Sequence, residues 1–106
     1  KNNKILDKLK EISTDLLQNA GKVILIQCLK IYYIIVDSNV PLQEKMSAMA
    51  CILYVISPVD VVSDFLPAGY VDDAAMITFT LNFLKKYDTK DIQDKAESKY
   101  NEWFKK

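Results

Sequence analysis

Apolar residues recur at helical spacing along most of this chain. Ile5, Leu9, Ile12, Leu16 and Leu17 fall three or four residues apart between Asn3 and Ala20, with lysines and acids on the other side. That spacing predicts an amphipathic helix, and Gly21 is its natural break. Val23 to Val36 is apolar nearly all round, interrupted by Gln27 and Lys30. At 1.5 Å per residue such a segment spans roughly 21 Å, short of the ~30 Å of a bilayer's hydrocarbon layer, so it reads as the central core helix. Asp37 to Pro41 reads as a turn. Pro41 suits the first position of a third helix, which runs to about Ile56 with Met46, Met49, Ala50, Leu53 and Tyr54 turned inward. Met76, Ile77, Phe79, Thr80, Phe83 and Leu84 mark the apolar face of a later helix, from Asp72 to about Lys86. Asp88 or Thr89 opens a last, outer helix to Phe104, whose apolar positions are Ile92, Ala96, Tyr100, Trp103 and Phe104.

No strand pattern and no internal repeat interrupt this series. The expected fold is all-α, a compact single-domain bundle of about five helices, with one short helical turn between the third and the next. That turn follows from Ser57-Pro58-Val59-Asp60. Ser57 is an N-cap type, Pro58 suits the first helical position, and Asp60 stands where a capping-box acid belongs. Pro67 and Gly69 end it.

Charge changes the picture by exclusion. Basic and acidic residues balance at 14 each, which argues against a nucleic-acid binder. The chain has two cysteines, Cys28 and Cys51, both within apolar helices, and no histidine. Buried free thiols and a reducing, cytoplasmic setting are expected. A cysteine–histidine zinc site and an imidazole base are excluded. Lys1 to Glu11 is charged and amphipathic, unlike a signal peptide.

The candidate chemistry gathers in the connector from Tyr54 to Asp73. It holds Asp60, Asp64, Asp72 and Asp73, the prolines Pro58 and Pro67, and one of only two glycines. Asp60 and Asp64 share a helical face, and Asp72 and Asp73 return after a tight turn. Two readings fit. In the first the acids are architectural: Asp60 and Asp72 cap helices, Asp73 lies in a first turn, and Lys45 pairs with Asp60 or Asp64. In the second the four carboxylates hold a divalent cation such as Mg²⁺ or Ca²⁺, as oxygen-rich clusters do. Phe65, Leu66 and Tyr70 form an apolar tip, which either closes the bundle or meets a partner.

Taken together these residues resemble the YkvA-like domain, a small bacterial domain of unknown function. The resemblance stands on Tyr54, Ser57-Pro58-Val59-Asp60, Asp64-Phe65-Leu66-Pro67 and Gly69-Tyr70-Val71-Asp72-Asp73, with Asp37, Pro41 and Lys45 upstream, and covers about residues 30–85. Ser63 stands where that family usually has proline, and the Pro67-to-Gly69 spacing is one residue short. The resemblance implies no established reaction; it implies a helical domain, with membrane association noted for some members. The expected function is a non-enzymatic interaction module whose connector and aromatic tip contact a protein or a membrane surface. The alternative is a metal-dependent enzyme acting on a phosphate-bearing substrate through the four aspartates.

Overall fold

The computed structural model describes residues 3–56 and 73–104. Within them the chain forms five α-helices and one 3₁₀ turn: α1 Asn3–Ala20, α2 Lys22–Ile35, α3 Leu42–Ile56, α4 Asp73–Phe83, the 3₁₀ turn Lys85–Tyr87, and α5 Lys90–Phe104. No strand is present among the described residues. The all-α bundle expected from the apolar spacing is the observed architecture. The short helical turn expected after Ser57 lies outside the described residues.

Helix α2 is the hub, because its apolar positions run round the whole cylinder. It packs against each of the other four helices. Leu25, Cys28, Leu29, Ile31 and Ile34 on it are fully or almost fully buried. Its low polarity is thus the signature of an interior helix rather than of a membrane span. Among the described residues no helix is long and apolar enough to cross a membrane. The radius of gyration of 13.3 Å fits a tightly packed chain of this length.

A single residue joins α1 to α2. Gly21 has φ 95° and ψ 167°, a region that side chains with a Cβ avoid. Its N–H donates to the Leu17 carbonyl at 3.0 Å, and its carbonyl accepts from the Leu25 N–H at 3.2 Å. One residue therefore closes the first helix and opens the second. A Cβ there would meet no neighbouring atom within 4 Å, so the constraint is torsional rather than steric crowding from outside. Gly21→Ala is expected to cost about 1–3 kcal/mol, read as a lower urea midpoint with an unchanged slope.

The turn between α2 and α3 is held by Asp37, whose Oδ1 accepts from the Asn39 N–H at 2.9 Å. Val40 is buried beneath it. Pro41 stands one residue ahead of the expected position: its carbonyl accepts the first bond of α3, from the Lys45 N–H at 3.0 Å, and Leu42 is the first helical residue. At the other end of the chain, Thr89 rather than Asp88 caps α5, its Oγ1 accepting from the Ile92 N–H at 3.3 Å. Asp88 is used elsewhere.

Two inward faces differ from expectation. On α3 the buried residues are Ala48, Cys51, Ile52 and Val55, while Met46, Ala50 and Leu53 face outward; Met49 and Tyr54 are half-buried. The helix has turned so that small Ala48 lies inward, where larger side chains would hold the neighbouring helices apart. On α4, Ile77, Thr80 and Leu81 are buried, as is Leu84 just past its end, whereas Phe79 and Phe83 are exposed. This helix also ends at Phe83 instead of Lys86. The Leu84 N–H donates to both the Thr80 and Leu81 carbonyls, and the chain tightens into the 3₁₀ turn that follows.

The interior also perturbs the phenol of Tyr32. Tyr32 is buried, and its phenol is pushed above its usual value of 10.0, first by desolvation, then by the neighbouring Tyr33, with Lys99 opposing. A neutral phenol favoured by folding holds its proton more tightly in the folded than in the unfolded chain. Its contribution is complete below pH ~10 and is lost as pH rises through the folded value. Tyr32→Phe should therefore flatten the alkaline limb of a stability-versus-pH curve above pH ~10 and leave the neutral region nearly unchanged.

Candidate functional site

Ser57, Pro58, Asp60, Asp64, Phe65, Leu66, Pro67, Gly69, Tyr70 and Asp72 lie outside the described residues. The structure describes the two helices that this connector joins. Helix α3 delivers it after Ile56, and α4 receives it at Asp73, the first helical residue. Helices α3 and α4 pack side by side, and both pack on α2. The Cys51 Sγ lies 3.9 Å from the Met76 carbonyl, a direct contact between them. The connector thus leaves and rejoins the bundle on neighbouring helices.

Lys45 is half-buried in the first turn of α3, beside half-buried Glu44. It makes no ion pair among the described residues; its expected partners, Asp60 and Asp64, are not among them. Lys30, on α2, has a clear role. Lys30 Nζ reaches Asp88 Oδ2 at 3.4 Å, with both side chains about four-fifths shielded. Asp88 Oδ1 is buried and accepts no hydrogen bond. This pair ties α2 to the start of α5. At the other end of α5 the Lys22 ammonium sits 5.0 Å above the Tyr100 ring. The two contacts make α2 and α5 antiparallel neighbours. Neither partnership was legible in the sequence, because Lys30 and Asp88 stand 58 residues apart.

No cluster of three or more His, Cys, Asp or Glu able to hold a metal ion occurs among the described residues. Cys28 and Cys51 are both buried, as their apolar surroundings predicted. Trp103 and Phe104 are half-buried against the core, so the end of α5 docks on the bundle.

The feature that sequence spacing missed is the outer side of α3 and α4. The exposed positions of α3 are Leu42, Gln43, Met46, Ser47, Ala50 and Leu53; those of α4 are Ala75, Thr78, Phe79, Asn82 and Phe83. None carries a charge. Helices α1 and α5 show the opposite: Lys4, Asp7, Lys8, Lys10 and Glu11 on one and Lys90, Asp91, Asp94 and Lys95 on the other face solvent. Exposure is large where it matters, at 73% for Leu42, 64% for Met46, 72% for Phe79 and 63% for Phe83. Among the described residues, the charges of α3 are Glu44 and Lys45, both half-buried in its first turn. A scattered exposed leucine needs no explanation, but a side without charges and with two phenylalanines does. The signal was present as a second stripe, Ala75, Phe79 and Phe83, four residues apart. Sequence offered no means of choosing between it and the stripe through Ile77 and Leu84.

Comparison with known proteins adds one match. Residues 44–79 match a family model described as "Protein of unknown function (DUF1232)". The matched stretch takes in most of α3, the connector and the first half of α4. No curated protein and no solved structure matches the chain.

Proposed function

We propose that this chain is a YkvA-like interaction module, not an enzyme, which contacts a protein through α3, α4 and the connector between them. The reading is carried by the charge-free outer side of α3 and α4, with Leu42, Met46, Phe79 and Phe83 exposed on it. Protein interfaces are depleted in charge at their centre and enriched in aromatic residues and methionine, and this side has that composition. The family match supports the same region, since it centres on the connector and includes Met46 and Phe79. Phe65, Leu66 and Tyr70, in the segment joining the two helices, would add to the contact, and Asp60, Asp64, Asp72 and Asp73 would act as caps and ion-pair partners.

The test is photo-crosslinking in cells from benzoylphenylalanine placed at exposed Asn82 on α4, with exposed Glu97 on α5 as the control position. A discrete protein adduct from position 82 and none from 97 is expected; absence of any adduct from 82 would remove the reading. A thermal-shift series with Mg²⁺, Mn²⁺ and Ca²⁺ provides the second arm. No rise in Tm is expected. A rise that Asp64→Asn abolishes would put a divalent-metal site in the connector and favour chemistry on a phosphate-bearing substrate instead.

A further inference from the structure

We draw no further inference here: the strongest candidate, the outer side of α3 and α4 on which Leu42, Met46, Phe79 and Phe83 are exposed, is an apolar face for which nothing in the structure shows what covers it.

Discussion

Leu29→Ala should lower the stability of this protein by about 2–5 kcal/mol, the range for removing a buried leucine from a packed core. Leu29 is fully buried on α2, in a cluster with Ile26 and Ala96, and Leu6, Tyr33, Tyr100 and Trp103 pack around them. These residues come from α1, α2 and α5, so three elements lose a shared partner at once. Because α2 is flanked by all four of the other described helices, it has little freedom to move into the space left behind, which favours the upper half of the range. Domains of this size are commonly stable by only ~5–15 kcal/mol, so the variant will be partly unfolded or close to it at 37 °C. Urea denaturation gives the measurement, with Leu29→Met as the volume-conserving control, expected to cost less than about 1.5 kcal/mol. A loss under 1 kcal/mol for the alanine variant would mean that α2 is not the organising helix.

Lys30→Met is expected to cost about 2–3 kcal/mol, below the ~3–5 kcal/mol seen on removing one partner of a fully buried pair, because Lys30 and Asp88 keep some contact with water. The loss comes less from the broken attraction than from what is left. Asp88 already has one buried oxygen without a hydrogen bond, and the second would lose its ammonium partner. Asp88→Asn should be milder, since an amide leaves no buried charge of its own and can still accept from the Lys30 ammonium. The double variant Lys30→Met with Asp88→Leu should recover most of the loss, as apolar replacements of shielded pairs often do. A double-mutant cycle by chemical denaturation isolates the coupling. If the single variants add without coupling, the 3.4 Å contact contributes nothing to holding α5 on α2.

The helices themselves were legible because each obeys a local rule. The boundaries of α1 match the spacing of Leu9 and Leu16 and the break at Gly21. The all-round apolarity of Val23 to Val36 marked the hub. Thr89 and Asp88 show where local rules stop: both are good capping residues, and the choice fell to Thr89 because Asp88 is drawn to an ammonium 58 residues back along the chain. The candidate site was legible as a composition, four aspartates and two prolines between α3 and α4. The faces of its flanking helices were not. Helices α3 and α4 carry apolar residues on more than one side, so periodicity allowed more than one inward face. Packing selected the face with Ala48 and Cys51 on α3 and that with Ile77 and Leu81 on α4.

The order of residues alone determined that this protein is helical, where most of its helices begin and end, that its thiols are buried, and that this sequence has no histidine to ligate zinc or act as a base. Those properties depend on torsional preference, capping and side-chain inventory, which act over a few residues. Tertiary structure decided which stripe of α3 and of α4 enters the core, that Lys30 holds Asp88, and that Phe79 and Phe83 are left facing outward. These depend on how the described helices share one interior, where a helix with two apolar stripes can bury only the one whose shape its neighbours accept.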